Sequence, residues 1–95
     1  LLWVGLAGDV AALRTLNLAI RRELRRARLP YDERPFRPHV TLARPGDRVD
    51  AAAVEADRQV LNGYFGPSWP VSEMLLMRSH LGPRPTYDRL AAWPL

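Results

Sequence analysis

The segment Phe36-Arg37-Pro38-His39-Val40-Thr41-Leu42-Ala43-Arg44 leaves the backbone little choice. Proline fixes φ and lacks an N–H, so Pro38 suits the first residue of a strand, where that donor matters least. From His39 the residues alternate in character, and strand side chains alternate between faces. His39 and Thr41 therefore project from one side, and Val40 and Leu42 from the other. The segment predicts a strand over His39 to Arg44. An imidazole and a hydroxyl on one strand face form a phosphate-handling pair. The imidazole moves a proton near neutral pH, and the hydroxyl donates to a phosphoryl oxygen.

The rest of the chain supplies partners for that strand. Leu1 to Leu6 is short and apolar, with a Gly-Asp break after it, and predicts a buried strand. Asp9 is placed to cap a helix. Val10, Leu13, Leu16 (or Asn17), Ile20, Leu24 and Ala27 then recur at spacings of three and four, the stripe of an amphipathic helix of about five turns. Pro30 stops it. Tyr31 to Arg37 is a polar connection, and Pro45-Gly46-Asp47 is a turn signal. Ala51 to Leu61 predicts a second, shorter helix through Val54, Arg58 and Leu61, ended by Asn62-Gly63. After a loop from Tyr64 to Pro70, Val71 to Arg78 reads as a strand with Val71, Glu73, Leu75 and Met77 on one face. Gly82 to Pro85 turns the chain into a last strand, Tyr87 to Leu95. The expected fold is α+β, in the order β-α-β-α-β-β, with a mainly antiparallel sheet and two helices on one face.

With 95 residues, 47% of them hydrophobic, the chain suffices for one small domain with a modest core. It has no cysteine, which excludes disulfides, thiolate chemistry and cysteine zinc sites within it. Two histidines are too few for a histidine-rich metal site, while a carboxylate-only magnesium site stays open. All fourteen basic residues are arginines, against ten acidic ones, a net charge of +4. Arginine forks match phosphate oxygens, but a bias in genome composition explains the same count. Arg21, Arg22, Arg25, Arg26 and Arg28 crowd the end of the first helix, where the dipole favours cations although Arg21/Arg25 and Arg22/Arg26 repel. That cluster is read as a solvated helix end rather than an RNA contact. No basic, secretion-type leader precedes the first apolar stretch, which is too short to span a bilayer, and a cytoplasmic location is expected. The chain does not begin with methionine and is expected to be a piece of a longer product.

The nine residues from Phe36 to Arg44 resemble the second signature motif of the two-histidine (2H) phosphoesterases. Within these they are most similar to the bacterial RNA 2′,3′-cyclic phosphodiesterases, historically called 2′-5′ RNA ligases. Leu1 to Leu6 resembles the strand entering that half of the family. Met74-Leu75-Leu76-Met77-Arg78-Ser79-His80-Leu81, followed by Tyr87 and Leu90, resembles its closing segment, where a serine and a later tyrosine recur. The family has two H-x-T motifs, one in each of two lobes facing across a cleft. This chain has one, because His80 is followed by Leu81 and Gly82. The resemblance therefore implies that residues 1–95 are the C-terminal lobe of a bilobal fold. The N-terminal lobe is then absent, cleaved off or supplied by a second chain, and His80 is an exposed or partly packed histidine.

The resemblance further implies an RNA-processing hydrolase that opens a 2′,3′-cyclic phosphate to a 2′-phosphate with two histidines as acid and base, without metal or cofactor. His39 matches the second catalytic histidine and is favoured as the base that activates water. Thr41 matches its phosphate-binding partner. Arg44, at odd spacing from His39, either bends in to neutralise phosphate or pairs with a surface carboxylate. Phe36 is read as a core residue ahead of a base-stacking one. Expected partners are RNA ends or cyclic nucleotides and the missing lobe, with no membrane. One histidine does not serve as both acid and base, so the isolated chain is expected to be inactive. The alternatives are a non-catalytic RNA-binding module, a half-size protein that dimerises, and a 2H relative acting on another cyclic nucleotide.

Overall fold

A computed structural model describes residues 1–44, 46 and 49–95. Pro45 and Asp47, two of the three residues of the expected turn, lie outside the described residues. The elements run β1 (Leu2–Gly5), α1 (Val10–Arg26), β2 (His39–Ala43), α2 (Ala51–Leu61), β3 (Glu73–His80) and β4 (Thr86–Pro94). The order β-α-β-α-β-β is the expected one. Pairing is antiparallel throughout and runs as two ladders, β1 with β2 and β3 with β4. The chain divides into two compact units, Leu1–Tyr64 and Phe65–Leu95.

In the first unit, Gly5 pairs with His39, Val4 with Val40, Trp3 with Thr41 and Leu2 with Ala43. The ladder extends one step further, as Leu6 N–H donates to the Pro38 carbonyl at 3.2 Å. Pro38 thus joins through its acceptor alone, as a strand-leading proline must. The register slips between Leu2 and Trp3, which leaves Leu42 as the extra residue of a bulge on β2. β2 ends at Ala43, so Arg44 lies just beyond the strand expected to include it.

Helix α1 fits the periodic stripe: Val10, Leu13, Leu16, Asn17, Ile20 and Leu24 are half-buried and most of the others are exposed. Ala27, expected to continue the stripe, is exposed, because the helix has already turned off. Arg28 takes a left-handed conformation (φ 57°). Its N–H donates to the Arg25 carbonyl and the next, Leu29, to the Leu24 carbonyl at 2.9 Å. These are the two bonds of a Schellman motif, with an arginine where glycine is usual. Pro30 follows and bars any restart.

The two helix starts differ. Asp50 is extended (ψ 131°) and its carboxylate accepts the Ala52 N–H at 3.0 Å. Asp9 also stands at the cap position, but its ψ of 54° is not extended and its side chain makes no capping bond. Instead Val10 N–H donates to the Gly8 carbonyl at 2.8 Å, across a turn that Gly8 enters with φ 93°. α2 lies against β1, with Val54 and Leu61 half-buried.

In the second unit, β3 and β4 form a hairpin from Glu73↔Pro94 to His80↔Thr86, with a register slip between Leu76 and Met77. The strand expected from Val71 starts at Glu73 and continues to His80. Its ends are set by the partner strand, which local composition does not reveal. Among the described residues no side chain is fully buried. No helix among them is long and apolar enough to cross a membrane.

Candidate functional site

His39 opens β2, where the tight connection from Arg37 turns into the ladder. Its Nδ1 lies 2.6 Å from the Arg37 carbonyl oxygen. A carbonyl only accepts, so Nδ1 carries the hydrogen and donates it. In the neutral ring Nε2 is then the lone-pair nitrogen, and in the cation it is the free acid. A backbone carbonyl fixing one ring nitrogen is also what a core histidine uses, but this imidazole is exposed. Its tautomer is set while its second nitrogen stays accessible.

The face around His39 follows from register. Paired residues of an antiparallel ladder share a face, so Trp3 (opposite Thr41) and Gly5 (opposite His39) lie on the His39–Thr41 side. The Trp3 and His39 ring centroids are 5.5 Å apart with planes at 59°, within the spacing that tilted aromatic pairs prefer. Trp3 thereby braces the imidazole from one side. Gly5 leaves the place directly across from it without a side chain. A Cβ at Gly5 would meet Cζ3 of Trp3 at an ordinary van der Waals distance of 3.6 Å, so the Trp3 ring lies beside that place. β1 and the end of α2 line a cleft of about 340 Å³, whose walls include Trp3, Gly5, Arg58, Asn62 and Tyr64. Arg58 is engaged by Glu55, with Nη2 2.7 Å from Oε1, and each holds the other charged: Arg58 pulls the Glu55 carboxyl below its ordinary range.

The bulge shifts the phase of β2 at its end: Ala43 pairs with Leu2, on the face opposite Trp3. Arg44 follows beyond the last paired residue, so the ladder does not assign its side chain to a face. Phe36 is half-buried ahead of β2. Trp3 and Gly5 were not singled out by the sequence. Their placement on the odd face of β1 is legible, but that this face meets His39 depends on the pairing register.

The second histidine belongs to the second unit and is occupied differently. On the hairpin, His80 Nε2 lies 2.6 Å from Asp88 Oδ2, with both side chains exposed. His80 is exposed, as expected; its carboxylate partner was not foreseen. Ser79 and Tyr87, the recurring serine and tyrosine of the closing segment, are paired directly across the ladder. Among the described residues no three His, Asp or Glu side chains converge as metal ligands.

The sequence as a whole matches known proteins. Residues 4–87 fit the family described as LigT-like phosphoesterases. The chain is similar to a protein of Thermus thermophilus named RNA 2′,3′-cyclic phosphodiesterase, at 38% identity over 72 residues, covering 72% of this chain and 31% of the relative. It therefore spans about a third of that relative's length. No solved structure matches it.

Proposed function

Because the chain belongs to the LigT-like phosphoesterase family, within the two-histidine superfamily, we propose that it forms the C-terminal lobe of an RNA 2′,3′-cyclic phosphodiesterase and supplies the second of two H-x-T half-sites. The observation that carries the reading is His39, whose Nδ1 is fixed by the Arg37 carbonyl and whose Nε2 is open above the face it shares with Thr41. The name of the Thermus relative supports the substrate class.

In this mechanism water attacks phosphorus, the P–O3′ bond breaks, and phosphate stays on the 2′ oxygen. His39 Nε2 takes the proton of the attacking water. A second histidine, from the lobe outside this chain, protonates the departing 3′ oxygen. Both protons are carried by imidazoles, so no step calls for a metal. The Thr41 hydroxyl donates to a non-bridging oxygen, and the Arg44 guanidinium offsets the charge that builds there. The enzyme processes RNA ends in the cytoplasm, and residues 1–95 alone, with half of the acid–base pair, are inactive.

The test is hydrolysis of a 2′,3′-cyclic nucleotide, without added metal, by the full-length protein and its His39→Ala variant. Turnover that the substitution abolishes supports the reading. Turnover that survives it, or a full-length protein with none, overturns it and leaves an RNA-binding module in its place.

A further inference from the structure

The last two turns of α1 and the chain returning from its Schellman turn enclose a second cleft in the first unit. It measures about 430 Å³ and is lined by Leu18, Arg21, Arg22, Arg25, Tyr31 and Glu33. Three guanidinium groups face one carboxylate. The arrangement is built rather than splayed. Arg25 Nη2 donates to the Tyr31 hydroxyl at 2.9 Å. Arg21 stands over the Tyr31 ring, 5.9 Å from its centroid, and its Nη2 donates to the Arg34 carbonyl at 2.6 Å. Two other acidic groups nearby are taken by outer arginines, Glu23 by Arg26 at 3.3 Å and Asp32 by Arg34 at 2.6 Å, which leaves Glu33 as the carboxylate of the cleft. Arg21 and Arg25 spend one donor group each on neutral oxygens and keep their charge and remaining donors.

The cleft holds an excess of positive charge, because Arg21 and Arg25 repel across one helical turn, Tyr31 gathers them without neutralising them, and the single Glu33 carboxylate faces three guanidinium groups. An anion offsets that repulsion. Guanidinium forks suit phosphate bidentately, and cationic grooves with an aromatic ring are how proteins hold single-stranded nucleic acid. A membrane surface fits poorly, as Leu18 is the one aliphatic wall. The solvated helix end read from the sequence is thus, at Arg21 and Arg25, an organised site.

We propose that the Arg21–Arg22–Arg25–Tyr31 cleft is a second phosphate-binding site that holds the sugar–phosphate backbone of an RNA strand away from the His39 face. The eight residue steps from Tyr31 to His39 span at most about 29 Å, a distance that one strand several nucleotides long bridges. The assignment to RNA rests on the proposed function.

The test uses the full-length protein and an RNA oligomer ending in a 3′-hydroxyl, which has no cyclic phosphate to open. The Arg22→Gln/Arg25→Gln double variant is expected to bind it at least tenfold more weakly. Its log K against log salt slope is expected to shrink by about 1.4, near 0.7 for each single-strand phosphate that is no longer neutralised. Arg14→Gln, the same charge change at another position of α1, is expected to shift affinity less than threefold. His39→Ala is expected to keep oligomer affinity while losing turnover, so the two proposals fail separately. Where folding of the double variant is in doubt, the single Arg22→Gln change removes an exposed side chain and is expected to weaken binding about threefold. Native affinity and salt slope in both arginine variants, or an equal loss in Arg14→Gln, overturn the site. So does equal competition by an acidic peptide, which makes the cleft a general anion surface.

Discussion

His39 and His80 are both exposed, both stand at a strand end, and both hold a hydrogen bond of 2.6 Å. His39 spends Nδ1 on a carbonyl two residues back in its own chain, at no cost in charge. It presents Nε2 to a face shared with Thr41, Trp3 and Gly5. His80 spends Nε2 on the carboxylate of Asp88 across the hairpin. Its strand neighbours on that face are the charged Arg78 and Asp88, in register with each other. A histidine that serves in proton transfer needs one nitrogen fixed and the other free beside a donor. A histidine in a solvated cross-strand pair needs a partner alone. The residue type is the same in both places, and the difference lies in what the ladder puts beside it.

Each substitution that follows breaks or sharpens this contrast. The largest effect is expected from His39→Ala, which lowers kcat/KM of the full-length enzyme on a 2′,3′-cyclic nucleotide about 10²- to 10⁴-fold. His80→Ala stays within about threefold. Equal losses in the two erase the distinction. Next is Thr41→Val, which keeps shape and removes the hydroxyl. Loss of a hydrogen bond to a charged oxygen predicts a fall of about tenfold to a hundredfold in kcat/KM, with the urea midpoint little changed. On the other side, Asp88→Asn separates the His80 pair. Because both groups are exposed, urea unfolding is expected to shift by less than about 1 kcal/mol, with turnover unaltered.

The smallest effect concerns pH. The Arg34 guanidinium, by hydrogen bonds and charge, holds the Asp32 carboxyl at about 2, in the connection that leads to His39. A depressed carboxylate contributes stability above its unfolded value and loses it as pH falls toward the folded one. The Asp32–Arg34 clasp is therefore fully present above about pH 5. The Asp32→Asn variant is expected to give a pH–rate profile between pH 5 and 9 that overlays the unmodified enzyme's. A limb that moves with it shows that the clasp, rather than the histidines, shapes the profile.

Legibility followed locality. α2 was readable to its ends, because alanine propensity, the Val54–Leu61 spacing and the Asn62-Gly63 stop all lie within the segment. β3 was displaced by two residues, since Val71 looks as strand-like as Met77 and the pairing with Thr86–Pro94 sets where it runs. Asp9 and Asp50 look alike as caps, yet one bonds and the other does not. The turn after Gly8 leaves the Asp9 backbone short of the extended shape that capping requires. The Arg25–Tyr31 contact was beyond reach, since it depends on Arg28 entering a left-handed turn that arginine seldom takes.

What the amino-acid order determined by itself is that His39 and Thr41 face one way on a strand led by Pro38, because the two-residue period of an extended chain is a local property. It also determined the family, since the matching residues run through most of the chain. Tertiary structure alone decided what stands around that face. Trp3 against the imidazole, Gly5 across from it and the bulge at Leu42 all depend on the β1–β2 register. A one-residue slip of that register sends the same side chains to the opposite face, and it is set by contacts between segments some 36 residues apart.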